Sequence, residues 1–292
     1  MNTIYQNGSF VTAEQAKVSV FDRSFLFGEG LFETFRSFDG KIPFLNDHLG
    51  RLQWSSTFLG IEYPAEIDFS TVCQELIAKN NYQNARLKIV LSQTFADYSQ
   101  ATCAPTEIDT KVMTANVTIF CERLLDEALS GPDRLKVIRD FPNEHLPLVA
   151  IKTTNYLSKM RARLEAQESG FYDGILLNAR GLVTETCTGN IFWIDKDSTL
   201  HTVMEEQGLL GGITKKNLIK LLTKHKMDVK QTVITPQELS HAKEVFITNS
   251  VVGVKPVVAI DDRQISGGEA GDITLMIMEL WKKYLNELVD LS

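Results

Sequence analysis

GLVTETCTGNIFW, residues 181–193, is a threonine-rich polar turn that holds one carboxylate and runs directly into an apolar strand candidate, NIFWI (190–194). A short apolar run bounded by turn residues is the mark of a strand buried within a sheet. The same pattern recurs on either side: LKVIR (135–139), DGILLN (173–178), VFITN (245–249) and VVAI (257–260) read as strands. Between them, 155–168 and 214–224 carry helical spacing, and Ile273, Ile277, Leu280, Tyr284 and Leu288 mark a closing helix. Strands that alternate with helices predict an α/β fold.

Towards the amino terminus, KVSVF (17–21), LFETFRSF (31–38), RLKIVLSQ (86–93) and VMTANVTIF (112–120) read as strands. A helix is expected to begin near Asn46 and Asp47 as caps, with Leu45, Leu49, Leu52, Ser56 and Leu59 on its buried stripe and Arg51 on its polar side. A second follows Ser70 and buries Val72, Cys73, Leu76 and Ile77. The polar stretch from Cys121 breaks at Gly131–Pro132. The expected organisation is a small α/β domain over 1–125, a connection over 126–133 and a larger α/β domain over 134–292.

With 30 basic and 37 acidic residues the net charge is −7, which disfavours nucleic acid and anionic membrane and favours a small-molecule partner. Cys73, Cys103, Cys121 and Cys187 lack the spacing of a disulfide framework or metal site, so reduced thiols and no metal are expected. The start, MNTIYQNGSFVTAEQ, has neither the basic nor the apolar segment of a signal peptide, and no run approaches a membrane span, so a cytoplasmic protein is expected.

Five places could carry chemistry. Lys152, in HLPLVAIKTTNYL, stands between an apolar run and a helical stripe of Leu157, Met160 and Leu164, and a desolvated lysine offers a neutral amine. Glu185 precedes the strand of the opening motif, where a carboxylate can face a cationic ring. QGLLGGITKKNL (207–218) places glycines before a helix start, a geometry that suits phosphate. VFITNSVVGVKPV (245–257) ends a strand in Thr248, Asn249 and Ser250, and Arg51 in DHLGRL offers a phosphate-binding fork. Taken singly, each is as well read as a surface side chain or an ordinary turn.

Together, their order resembles the class IV aminotransferase family, the fold type IV pyridoxal-phosphate enzymes. The likeness runs from VFDRSFLFGEGLFETFR (20–36) through DHLGRL, IKTTNYL, GLVTETCTGNIFW and GGIT to ITNSVVGVKPV, nearly the whole chain. It implies a two-domain α/β (α+β) fold with a barrel-like larger domain, a pyridoxal 5'-phosphate cofactor lying between the domains, and a homodimer. It implies that Lys152 is the Schiff-base lysine, Glu185 the pyridine-nitrogen partner and Tyr156 a donor to the phenolic oxygen. Arg51, Ile213, Thr214 and Ser250 would hold the phosphate, Leu210 would press on the ring, and Thr188 and Asn249 would be polar neighbours.

Within the family, FETFR (32–36) and VTETCTGNIFW look most like 4-amino-4-deoxychorismate lyase, which releases pyruvate and forms 4-aminobenzoate for folate. LSQTFADYSQ (91–100) lacks the tyrosine–arginine–proline signature of branched-chain aminotransferases and the arginine–histidine pair of the D-amino-acid enzymes. Gln93 stands where many lyase relatives have arginine, which leaves Arg36, Arg86, Lys88 and Arg139 as candidate carboxylate donors and keeps an aminotransferase open. A noncatalytic protein that binds a phosphorylated ligand would use the same turns and make Lys152 incidental.

Overall fold

The computed structural model describes residues 2–97, 99, 101–103, 113–125, 131–139 and 147–291. Residues 126–130 of the expected connection, and His145 and Leu146 before the lysine, lie outside the described residues. The chain is a mixed α/β protein that divides into two units, Met1–Leu125 with Ile151–Tyr156, and Asp126–Ala150 with Leu157–Leu291. Among the described residues no helix is long and apolar enough to cross a membrane.

The first unit runs β1 (Thr3–Gln6), β2 (Ser9–Thr12), α1 (Arg23–Phe27), β3 (Leu31–Arg36), α2 (Leu45–Leu59), α3 (Phe69–Lys79), β4 (Ala85–Phe95) and β5 (Met113–Arg123). Its strands form an antiparallel sheet in the order β2-β1-β5-β4-β3, which leaves β3 at an edge. Because side chains alternate along a strand, Leu31 and Phe35 of β3 share a face with Leu87, Ile89 and Leu91 of β4 and Val117 and Ile119 of β5. That face forms one core with Leu52 of α2 and Phe69, Cys73, Leu76 and Ile77 of α3. Each such side chain contributes roughly 1.5–3 kcal/mol by leaving water. Phe32, Thr34, Arg36, Arg86, Lys88 and Val90 share the opposite face.

Three local expectations fail here. Residues 17–20 form no strand: Val18 and Val20 are exposed, and the side chain of Gln6 binds both the N–H and the carbonyl of Lys17 in place of a ladder. Helix α2 starts after Phe44, which takes a left-handed conformation (φ 61°) and supplies no side-chain cap. Asn46 and Asp47 fall inside the first turn, where the Asp47 charge favours the helix N-terminus. Helix α3 begins at Phe69 and is capped by Asp68, two residues before the serine after which it was expected.

The second unit runs β6 (Asp133–Val137), α4 (Leu157–Glu168), β7 (Asp173–Leu177), β8 (Val183–Thr186), β9 (Asn190–Ile194), β10 (Leu200–Val203), α5 (Ile213–Lys224), β11 (Val229–Thr232), α6 (Pro236–Leu239), β12 (Glu244–Asn249), β13 (Gly253–Ile260), β14 (Arg263–Gln264) and α7 (Asp272–Leu291). The sheet is curled as a half-barrel with the order β11-β10-β9-β12-β13-β6-β7-β8, and β14 pairs with β13. Helices α4 and α5 are the crossovers that let β6 pair with β7, and β10 with β11, in parallel. Ile175, Val183, Ile191, Trp193, Val245, Ile247 and Val257 meet in its core.

Helix α4 corrects another expectation. Leu157, Met160 and Leu164 are exposed, and the helix instead buries Ala162 and Ala166 against Ile138, Leu176 and Cys187. Two alanines on one stripe let the helix approach the sheet closely, which larger side chains at those positions would prevent. No disulfide joins the four cysteines, and burial pushes the Cys73 and Cys121 thiols up to about 12, so both are inert at neutral pH.

Candidate active site

The segment that carries Lys152 docks on the free edge of β3. Phe32 N–H donates to the carbonyl of Lys152 at 2.8 Å, Leu31 bridges Thr153 antiparallel, and Thr154 N–H donates to the carbonyl of Gly30 at 2.8 Å. The Thr154 hydroxyl adds bonds to the Gly28 carbonyl (3.0 Å) and the Ser24 hydroxyl (3.2 Å). Gly30 permits this approach, because a Cβ there would stand 2.9 Å from Thr154 Oγ1 and 2.8 Å from Ser24 Cβ. Lys152 is thereby held half-buried, its Nζ 4.4 Å from the Phe32 ring centroid and 5.7 Å from that of Tyr156. Those two rings meet edge to face at 5.4 Å. Among the described residues of the apolar run before the lysine, 147–151, only Ile151 is buried, and the stripe after it is exposed, so hydrogen bonding to β3 fixes the lysine rather than a burial sandwich.

On the core side of β3, Glu33 is buried and bound through both oxygens. Arg51 donates from Nε to Oε1 and from a terminal nitrogen to Oε2, each at 2.7 Å, and His48 Nδ1 is 2.7 Å from Oε2. Burial alone would raise the Glu33 carboxyl, but the charge and hydrogen bonds of Arg51, helped by His48, bring it down to about 2. His48 is itself held below its ordinary value, by burial foremost and by the Arg51 and Lys152 charges, against the pull of Glu33. Arg51 therefore does not lie on a polar outer face: it packs on the α2 face that also buries His48, Leu52 and Ser55.

In the second unit Glu185 lies on β8, every residue of which is buried. Its Oε1 accepts from Lys159 Nζ at 2.7 Å, and its Oε2 accepts from Leu210 N–H at 3.4 Å. The Leu210 carbonyl accepts from Asn190 Nδ2 at 2.9 Å, so this carboxylate and the glycine turn are linked through one backbone unit. Helix α5 opens at Ile213 with Gly212 as a cap that lends no side-chain bond. A Cβ on Gly212 would collide with Oδ1 of Asn190, so only glycine passes here. Thr214 and Ser250 bring their hydroxyls to 3.3 Å beside that helix start.

Thr188 and Asn249 are engaged locally. The Thr188 hydroxyl and N–H both donate to buried Asp173, at 2.6 and 3.1 Å. Asn249 Oδ1 accepts from the N–H groups of Val251 and Val252, each at 2.9 Å, and so shapes the turn that presents Ser250. The expected residues thus fall into local groups: Lys152 with Tyr156 around Phe32, Arg51 on Glu33, Glu185 with Leu210, and Thr214 with Ser250, while Ile213 opens α5. Lys152, Tyr156 and Arg51 belong to the first unit and the others to the second.

Sequence reasoning missed Glu33, His48, Lys159, Asp173, Asn190 and Lys215. Lys215 is buried and donates to the Val203 carbonyl at 2.8 Å, and burial lowers its ammonium against the opposing charges of Glu205 and Glu185. The helical spacing of Lys215 and of Leu218, Leu221 and Leu222 in the buried set of α5 could have signalled it. Nothing in the sequence around Lys159 distinguished it from surface lysines.

A helix start without a side-chain cap, two converging hydroxyls, a glycine admitting no Cβ and a buried carboxylate form a donor set that fits a phosphorylated pyridine. Residues 30–260 match the family described as Amino-transferase class IV. The chain is 34% identical over 284 residues to a putative branched-chain-amino-acid aminotransferase of Methanocaldococcus jannaschii, covering 96% of this chain and 95% of that one. It is 29% identical over 293 residues to the aminodeoxychorismate lyase of Bacillus subtilis, covering 98% and 96%. The branched-chain aminotransferase of Thermoproteus uzoniensis, solved with norvaline, superposes with a TM-score of 0.83 at 27% identity, covering 96% and 93% of the two chains. The chain therefore belongs to the class IV aminotransferases, and it is an enzyme that works through pyridoxal phosphate.

Proposed function

We propose that this enzyme eliminates pyruvate from 4-amino-4-deoxychorismate to leave 4-aminobenzoate, with Lys152 as the residue that carries the cofactor. The observation that supports the lysine assignment is its placement on the edge of β3, over Phe32 and beside Tyr156. Bound, the cofactor supplies an aldehyde that condenses with amines and a cationic ring that draws electrons from the adjoining carbon. In this reading the Lys152 amine, displaced by the substrate amine, takes the proton from the amine-bearing carbon. Tyr156 would donate to the phenolic oxygen, and Leu210 would pack on the ring. Arg51, the Ile213 N–H, Thr214 and Ser250 would hold the phosphate, with Glu33 fixing the Arg51 guanidinium through Nε and one terminal nitrogen and His48 bracing Glu33. Glu185, its carboxylate fixed by Lys159 and the Leu210 N–H, would partner the pyridine nitrogen. Thr188 and Asn249 shape the surrounding turns.

Breaking the ring C–O bond releases pyruvate and aromatises the ring, so no second keto acid is consumed. The choice of this substrate rests on the FETFR and VTETCTGNIFW blocks and on residues 91–100, which lack the tyrosine–arginine–proline signature and the arginine–histidine pair of the aminotransferases. The 34% identity to a putative branched-chain aminotransferase favours a second reading, transamination of amino acids. A homodimer belongs to either reading.

The two are separated by incubating holoenzyme with aminodeoxychorismate, and with L- and D-amino acids, while pyruvate and the cofactor spectrum are followed together. Pyruvate release without an added keto acid supports the lyase. Conversion of the cofactor to its pyridoxamine form by amino acids, with no pyruvate from aminodeoxychorismate, would rule it out in favour of transamination.

A further inference from the structure

Lys215 is only 2% exposed in the first turn of α5, directly after Ile213 and Thr214, and nothing in the chemistry assigned to Lys152 or Glu185 uses it. Both its place and its burial are unfavourable. A cation in a first turn meets the positive end of the helix, and burial lowers the ammonium from the ordinary lysine value. Its surroundings offset this: Nζ donates to the Val203 carbonyl at 2.8 Å and stands 3.5 Å from Oε1 of Glu205. The charges of Glu205, Glu185 and Glu206 support the ammonium.

These partners lie across the stem of one loop. Val203 ends β10, Glu205 opens the turn Glu205–Gln207, and Lys215 lies on the helix to which the chain returns at Ile213. One side chain therefore ties the start of residues 204–212 to their end. The same loop bears the Leu210 N–H that donates to Glu185 at 3.4 Å, the Leu210 carbonyl that accepts from Asn190, and the Gly212 cap of α5. Glu205 also lies against the returning limb, where a Cβ on Gly211 would stand 3.2 Å from its Oε2. A loop closed at its stem has fewer conformations than an open one, so less order remains to be imposed when a ligand binds.

We propose that Lys215 is a positioning residue, which by clasping Val203 and Glu205 holds the 204–212 loop so that the α5 start and Glu185 stand one phosphorylated pyridine apart. The inference deepens the reading of Ile213 and Thr214 as phosphate contacts and of Glu185 as the pyridine-nitrogen partner, and rests on it. Lys215 acts through the loop rather than by contact with phosphate or ring.

The test compares native apoenzyme with Lys215→Met, Lys215→Arg and Glu205→Gln in affinity for pyridoxal phosphate, for pyridoxal and, by competition with the cofactor, for inorganic phosphate. A spacing device matters to a ligand that must reach both ends at once, and little to either half alone. The expected result is a loss of roughly tenfold or more in pyridoxal phosphate affinity in Lys215→Met, with both halves within about twofold of native, and recovery in Lys215→Arg. The Glu205 side chain is 57% exposed, so Glu205→Gln should show a smaller loss of the same selectivity at an unchanged melting temperature. Unchanged pyridoxal phosphate affinity in Lys215→Met, or an equal loss for either half, overturns the proposal while leaving the cofactor contacts as assigned. Where Lys215→Met does not fold, native affinity in Glu205→Gln overturns it. Native apoenzyme that binds pyridoxal phosphate no more tightly than its halves removes the reading of the site, and the proposal with it.

Discussion

Glu33→Gln removes a negative charge that Arg51 and His48 grip from both sides on the buried face of β3. The carboxyl moves from 4.5 to about 2 on folding, which corresponds to about 3 kcal/mol of stability at neutral pH. A depressed carboxyl stabilises the fold above its unfolded value, so this contribution is complete above about pH 5 and is lost as pH falls from 4.5 towards 2. Glutamine keeps the shape but leaves the Arg51 charge facing a neutral amide. The assay is amide hydrogen exchange over residues 31–59, which reports local opening of β3 and α2. Native protein and Glu33→Gln should differ in opening free energy by about 3 kcal/mol at pH 7 and by less than half of that near pH 3. A difference below about 1 kcal/mol at pH 7, or one that is unchanged at pH 3, refutes the view that this carboxylate is held ionised by its neighbours.

Gly212→Ala drives a methyl group into the Asn190 amide; overpacking should lower stability by about 1–3 kcal/mol and weaken cofactor uptake by apoenzyme, both read by melting with and without pyridoxal phosphate. Lys159→Met takes the 2.7 Å cation from Glu185, which is only 4% exposed, and should cost about 3 kcal/mol in urea titration of apoenzyme, with Lys159→Arg retaining most of it. Stability unchanged in the methionine variant would show that the Lys159–Glu185 ion pair does not hold the second unit together.

Periodicity carried the sequence reading as far as a single element can be judged by its own burial. The apolar alternation of 86–93 and the runs 190–194 and 245–249 emerge as β4, β9 and β12, because each is buried on the face or faces that its pattern declares. KVSVF has the same alternation but gains no strand, since only tertiary context decides whether alternating valines find a partner edge. For α4 the larger side chains point to the wrong face: Ala162 and Ala166 pack closely while Leu157 stays exposed. Short β1, β2 and β8, each of four residues, were missed although β1 pairs with β2 and β8 with β7, its neighbours in the chain, because four residues carry too little alternation to declare a strand.

At the site, the sequence singled out the groups that ordered blocks mark. Thr214 and Ser250 bring their hydroxyls to 3.3 Å, and the Leu210 N–H donates to Glu185 at 3.4 Å. The residues that hold these groups were not legible. Glu33 reads as one more strand glutamate until Arg51 and His48, a helix away, close on it. Asp173 and Asn190 act through one hydroxyl and one carbonyl far along the chain, and such pairings leave no trace in local spacing.

Borohydride reduction of the holoenzyme followed by peptide mass spectrometry addresses the identity of the cofactor lysine without any assumption about substrate. A phosphopyridoxyl group on the peptide containing Lys152, absent when Lys152→Ala is treated in the same way, is the expected result. Modification at Lys88, Lys159 or Lys215 instead, or a fully loaded Lys152→Ala with the native spectrum, would contradict it.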